Sequence, residues 1–470
     1  MPDNKNKITI TPESYQSSHQ PDDFLNTNLK QLSTWHRLKN HLSTRQNLYL
    51  KISYSAIILI IFVFGAIIGL GYATKLQQGN KIENHYIGFL LDIFDQIKGN
   101  FWDKISDEQL TNLYKLGSEK LTGRAQAIKN NNRRGLQNML EDIIPALDQV
   151  KQKEFTTTLA DIVLANLTPA NRSRLYTTKK QQDLRNKVNS TDPATNLYNI
   201  LGIEKITSSD EIKKVYEEKL TELQADPSPE AKDKLAAINR AYQTLGSNEA
   251  RQIYDQSGVE PTIVPKIFEP DILYLKIKQI SPSTVDEWQK VINQMNAQPN
   301  LTSLILDLRG NFGGAVDTIP YFMGFFIGSN QYAVDYFIKG ESQPIKTKIG
   351  RLETLTRYKK MVVLIDNKTE SSAEIWAAAL KKYNIGVVMG ETTAGRGTIE
   401  NFFPIKTEID PNETYSALIV RAVALRDDGQ PIEGRGVEPT IKLSDATWPE
   451  QLMSYFNYPN LVEAVKQIVK

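Results

Sequence analysis

An apolar run from Ile52 to Ala73 holds 22 residues without a charge, long enough for a helix to cross a hydrocarbon core. It predicts a single transmembrane helix over 51–74, preceded by a polar tail at 1–50. The tail has no periodicity up to about residue 29 and reads as disordered. A segment of about fifty residues ahead of the span favours an uncleaved anchor over a signal peptide. Lys30, Arg37, Lys39, Arg45 and Lys51 precede the span with no acid among them, while Lys75, Lys81, Glu83 and Asp92 follow it. The positive-inside rule then places the N-terminus in the cytoplasm and everything after the span outside the cell membrane, in the periplasm if the source is bacterial. Gly65-x-x-x-Gly69 within the span has the spacing that supports homo-oligomers.

Beyond the span the pattern changes three times. Over 75–190 it is helical: Phe89, Leu90, Ile93, Phe94, Ile97 and Phe101 recur at three-to-four spacing, and Leu110, Leu113, Leu116 and Leu121 continue it. Over 191–258 two amphipathic helices, Ile212 to Leu223 and Lys234 to Leu245, flank the turn Asp226-Pro-Ser-Pro229 and predict an antiparallel hairpin. Over 259–445 strands alternate with helices. Leu273, Leu275 and Ile277 share one strand face, Ser283-Thr-Val-Asp286 is expected to cap a helix carrying Trp288 and Ile292, and Leu304-Ile-Leu-Asp-Leu308 and Met361 to Ile365 read as buried strands. Further strands are expected near 332–338, 387–389 and 418–423. Together these predict a mixed α/β core preceded by an all-α region and a helical hairpin. A terminal helix is expected over 446–470.

Composition narrows the chemistry. The chain of 470 residues carries a net charge of +2, so no global field points to nucleic acid. It has no cysteine and four histidines, the last at His85, which excludes a Ser-His-Asp triad and a histidine zinc centre from the C-terminal half. No cofactor is implied. What remains is Ser371, placed between the strand ending at Ile365 and a following apolar helix. Ser371-x-x-Glu374 is a capping box, and a serine at such a corner is also how a hydrolase presents a nucleophile. The glycine-rich loop Gly390-Glu-Thr-Thr-Ala-Gly-Arg396-Gly lies downstream.

Four motifs in order, Leu306-Asp-Leu-Arg-Gly-Asn-Phe-Gly-Gly314, Ser371-Ser-Ala-Glu-Ile375, Gly390 to Gly397 and Gly434-Arg-Gly-Val-Glu-Pro439, resemble the C-terminal processing, or tail-specific, serine proteases over about Leu273 to Leu443. The resemblance implies a Ser-Lys dyad, in which a neutral lysine takes the serine proton. Ser371 stands at the nucleophile position. The amide of Ser372 and one from Gly313 or Gly314 are implied as the oxyanion hole, with Arg309, Glu374 and Thr393 supporting the site. The lysine position holds Arg396, whose guanidinium keeps its proton at working pH, and Glu400 stands where a glutamine normally orients the lysine. A pair Arg396–Glu400 would fix the arginine as a cation. Lys382 lies too far along the Ser371 helix to take over.

The segment Leu197-Tyr-Asn-Ile-Leu-Gly through Arg251-Gln-Ile-Tyr-Asp255 resembles a J domain. It stands where the protease family carries a peptide-binding PDZ module. The His-Pro-Asp turn through which J domains stimulate their chaperone partner reads Gln224-Ala225-Asp226 here. Three functions follow as expectations: a membrane-anchored serine endopeptidase acting on extracytoplasmic polypeptides, a pseudoprotease that binds peptides as an adaptor, and a membrane-bound co-chaperone. The J-like module is expected to serve as an interaction or spacer element with a protein partner of its own.

Overall fold

The computed structural model describes residues 84–189, 196–226, 228–258 and 260–469. The expected tail at 1–50 and span at 51–74 lie outside the described residues. Among those described, no helix is long and apolar enough to cross a membrane.

The first described region contains helices α1 (His85–Asn100), α2 (Asp107–Thr122), α3 (Arg133–Ile143) and α4 (Gln149–Ala165). Asn84, Ser106, Asn132 and Asp148 open them, each side chain accepting a first-turn amide. The region is not all helical: strand β1 (Arg174–Thr177) follows, then helix α5 (Thr178–Asn189).

The J-like module comprises α6 (Leu197–Leu201), α7 (Ser209–Gln224), α8 (Pro229–Leu245) and α9 (Asn248–Ser257). Leu197, Leu201, Ile212, Ile238, Ala241 and Leu245 give it a core of its own. Its two ends are joined: the Leu197 amide donates to the Tyr254 hydroxyl (3.1 Å) and the Tyr198 hydroxyl donates to Asp255 (2.8 Å).

The remaining chain runs β2 (Ile263–Phe268), β3 (Ile272–Ile277), α10 (Pro282–Gln294), β4 (Ser303–Asp307), α11 (Ile319–Ile327), β5 (Tyr332–Ile338), β6 (Glu341–Lys346), β7 (Lys360–Ile365), α12 (Ser372–Lys382), β8 (Val387–Gly390), β9 (Thr398–Pro404), β10 (Tyr415–Leu425), β11 (Ile441–Lys442), α13 (Trp448–Phe456) and α14 (Pro459–Val469). The strands form two sheets. One is six-stranded, in the order β11-β8-β7-β4-β3-β2, parallel except where β2 pairs with β3. Helices cover both faces, which is why β4 is buried along its whole length and its sequence shows no alternation. Trp288 of α10, Phe322 of α11 and Trp376 of α12 pack on one face; Leu452 of α13 and Leu461 and Val465 of α14 pack on the other.

The second sheet runs β1-β10-β5-β6, with β9 also on β10. Thr177 lies opposite Tyr415 and Arg174 opposite Leu418, so the N-terminal region contributes a strand to the α/β core. Its helices pack against Ile405, Tyr415, Ala417 and Ile419.

Two expected boundaries are corrected. Ser281, rather than Ser283, sits at the N-cap of α10, with Pro282 in the first turn, where proline's missing amide leaves no bond unmade. The terminal helix is two helices, parted at Asn457 (φ +46°) just ahead of Pro459.

Residues 372–380 of α12 are all buried, and its Trp376 ring stacks on Phe322 at 4.4 Å. Trp376→Ala should lower stability by about 3–5 kcal/mol through the cavity it leaves. A shift in the urea midpoint no larger than that of an exposed Tyr455→Ala control would refute the placement of α12 at the centre of the core.

Candidate active site

Strands β4, β7 and β8 are neighbours in the parallel sheet, so the loops after them emerge at one edge, where open α/β sheets place their ligands. Those loops are the Gly310–Gly314, Asp366–Ser371 and Glu391–Gly397 segments. Cross-loop bonds hold them together: the Glu370 amide donates to Asn311 O (2.8 Å), Ala394 N to Thr369 O (3.1 Å), and the Thr369 hydroxyl to Leu308 O (3.0 Å).

Ser371 is the N-cap of α12 and has φ +55° and ψ −125°. A non-glycine residue in that region is strained by about 1–3 kcal/mol and persists only where its surroundings impose it. The imposing group is Glu374. Its side chain is fully buried, and its two oxygens accept from the amides of Ser371 (2.9 Å), Gly395 (2.7 Å) and Arg396 (2.7 Å) and from the Thr393 hydroxyl. Burial pushes the Glu374 carboxyl up from its ordinary range, and the surrounding donors, Thr393 first, pull it back. Thr393 in turn accepts from the Val437 amide (2.8 Å), which brings in the fourth motif. Gly436 allows this approach, since a Cβ there would lie 2.4 Å from Thr393 O.

The glycine pair divides its roles. Gly313 packs against the serine so closely that a Cβ would meet Ser371 Cβ at 2.8 Å and Ser372 N at 2.9 Å. Its own amide is not an oxyanion donor, because it bonds Asn311 Oδ1 (2.8 Å). The amides of Gly314 and of Ser372, at the first turn of α12, have no partner among the described residues. Ser371, flanked by two unengaged N–H groups, is an arrangement suited to a carbonyl oxygen that gains charge.

The base position differs from expectation. Arg396 does not pair with Glu400. Its Nη1 lies 3.0 Å from Glu370 Oε2, and its side chain is 53% exposed. The residues after it enter β9, where positions four apart lie about 13 Å from one another rather than one helical turn. Glu400 instead accepts from the Thr398 hydroxyl (2.5 Å); burial pushes its carboxyl up, and the Arg172 charge opposes that. A solvated, ion-paired guanidinium cannot accept the serine proton. Lys382 is engaged by Asp335 (2.8 Å).

Arg309 stands apart from the serine. It forks onto Asp307 (3.0 and 2.7 Å) and reaches Ile468 O of α14 (3.2 Å). Burial raises the Asp307 carboxyl, but Lys276 and Arg309 outweigh it and hold the group below its ordinary range. Arg309 is thus a sheet-edge ion pair that anchors the C-terminal helix.

Residues the sequence did not single out include Asn311, Glu370 and Glu433. Glu433 accepts from the Gly397 amide (2.8 Å) and from Arg172 (3.0 Å). Only Asn311 lay inside a recognisable motif, and only Glu370 adjoined the serine.

Residues 271–443 match peptidase family S41, and residues 196–255 match the DnaJ domain. The carboxy-terminal processing protease CtpA of Bacillus subtilis (strain 168) is 31% identical over 183 residues, which is 38% of this chain and 37% of that protein. The carboxy-terminal-processing protease of Bartonella bacilliformis is 26% identical over 191 residues, 40% of this chain and 42% of that protein. The chaperone protein DnaJ of Lactiplantibacillus plantarum is 45% identical over 64 residues, 13% of this chain and 17% of that protein. The chain therefore spans about two-fifths of the length of these processing proteases.

Glu374→Gln keeps the shape of the buried group but turns an amide NH₂ towards N–H or O–H donors. Each donor so orphaned should cost about 1–3 kcal/mol. Hydrogen exchange of the amides at 393–396 should quicken markedly, and unchanged protection there would show that Glu374 does not hold the loop.

Proposed function

Because residues 271–443 belong to peptidase family S41, we propose that the chain is a membrane-anchored serine endopeptidase of the C-terminal processing type acting on extracytoplasmic polypeptides. The observation that carries this is the strained Ser371 (φ +55°) beside the unengaged amides of Gly314 and Ser372. Backbone strain at a helix N-terminus, next to a glycine that admits a carbonyl, serves an acyl-transfer site and has no use in a simple cap.

In the proposed reaction, Ser371 Oγ attacks the scissile carbonyl while the two amides take the developing oxyanion. With no side-chain base in place, solvent water takes the serine proton and returns one to the departing amine, and a further water hydrolyses the acyl-serine ester. Arg396 occupies the base position as a cation paired with Glu370, so the step proceeds without the roughly 10²–10⁴-fold that a positioned general base supplies. That ion pair favours a second reading, in which the site binds polypeptide and scarcely turns it over. Placement of the catalytic part outside the cytoplasm rests on the apolar stretch 51–74 and the five cations before it.

The full-length chain in detergent, given an unstructured peptide, should cleave it slowly, and Ser371→Ala should abolish the activity. Arg396→Lys should raise kcat. Combining it with Glu370→Gln should raise kcat further, because the Glu370 carboxylate favours a protonated lysine. Cleavage unaffected by Ser371→Ala would exclude Ser371 as nucleophile, and inert variants that still bind peptide would leave the binding reading. For topology, an enzyme reporter fused after Lys470 should be active outside the cytoplasm, and activity inside would reverse the orientation.

A further inference from the structure

Two clefts flank helix α8 where the J-like module meets the protease core. One, of about 550 Å³, lies between α5, α8 and the core, with Phe312 in its wall. The other, of about 490 Å³, lies between the α8–α9 turn and strands β2 and β3. Lys278 and Gln243 line both. These volumes fall in the range of ligand sites.

The larger cleft adjoins the Ser371 site through the chain itself, because Phe312 immediately precedes the glycine pair. Its α5 wall is fixed beside that pair: Gln279 Nε2 donates to Lys187 O (2.7 Å) and Val188 O (2.8 Å). Val188 O lies 3.7 Å from where a Cβ on Gly314 would be. Lys187 Nζ sits over the Phe312 ring at 5.6 Å.

The charged groups around this cleft number three of each sign, but they do not pair off at Lys278. Arg240 of α8 is forked onto Glu260 (Nε to Oε2 3.0 Å). Glu287 of α10 accepts the amides of Thr262 and Ile263 (2.8 and 3.1 Å). Lys278 has neither carboxylate as an ion-pair partner among the described residues; its Nζ donates to the Thr244 hydroxyl of α8 (2.9 Å). Burial, reinforced by the Arg240 charge, brings Lys278 down to about 8 against the pull of Glu260 and Glu287. From α5, Asp183 and Lys187 face the same space. A part-buried lysine whose hydrogen-bond partner is neutral is short of an anion.

We propose that this cleft binds a carboxylate of the polypeptide held at Ser371, with Lys278 as the counter-ion and the J-like module as one wall. The inference rests on the reading of Ser371 as a polypeptide site. The module then takes part in substrate selection, a role that does not need the missing His-Pro of its turn. The carboxylate is a chain terminus or an acidic side chain of the substrate.

The test uses the full-length chain with Ser371→Ala to prevent turnover and a short, fluorescein-labelled alanine–serine peptide. Three forms are compared by anisotropy: free acid, C-terminal amide, and amide with one internal Asp. A charge-assisted bond should make at least one carboxylate form bind about 10-fold or more tightly than the plain amide, and which form gains identifies the source. Lys278→Met should erase the gain and Lys278→Arg should retain it. Without any substitution at Lys278, the gain should fade as pH rises through about 8, because the neutral amine no longer attracts the anion. Equal binding of all three forms, or a gain untouched by both Lys278→Met and pH, would overturn the proposal. A gain abolished by Lys278→Met supports it even if Arg396→Lys never cleaves, an outcome that counts against the Ser371 reading alone.

Discussion

The geometry of the site depends on one buried carboxylate. Glu374 accepts from four donors that belong to two loops far apart in sequence. Without it, the Ser371 backbone has no reason to stay at positive φ and the 393–396 segment has no fixed place beside it. Burying such a charge is costly, and its donors offset that only while all are present. The same residue that reads as the second half of a helix cap is therefore the tie between the proposed nucleophile and base positions.

Around that tie the electrostatics have been turned over. A Ser-Lys dyad needs a base that can be neutral, hence a dry and unpaired amine. This chain offers a wet, paired guanidinium instead, with Glu370 supplying the counter-charge one residue before the serine. The backbone frame that the proposed acyl transfer would use and the chemistry of its base have separated: one is intact in backbone terms, and the other is an ion-paired guanidinium. A half-buried lysine outside any ion pair among the described residues does exist, but Lys278 faces the J-like module.

Much of this was legible in the chain, and the rest was hidden for specific reasons. The motifs that form the site, and the alternation marking the α/β core, could be read because strands buried on both faces and glycine turns leave strong patterns. Strand β1 could not, since one exposed and three half-buried residues carry no readable period. Pairing Arg396 with Glu400 followed the resemblance, which sets an orienting glutamine beside the lysine position, whereas the true partner, Glu370, lies in another loop. Which glycine amide is free depends on the reach of Asn311 Oδ1, a tertiary fact. The break before Pro459 was written in the sequence, but the apolar pattern on either side masked it.

The J-like module begins and ends at one point, where Leu197 meets Tyr254, and it has its own core. An element of that kind behaves as a cassette. It can enter a host chain at a single junction without shifting the register of any host strand. Exchanging one cassette for another would leave the α/β frame around Ser371 untouched, so under the proposed roles recognition and hydrolysis would be free to evolve on separate clocks.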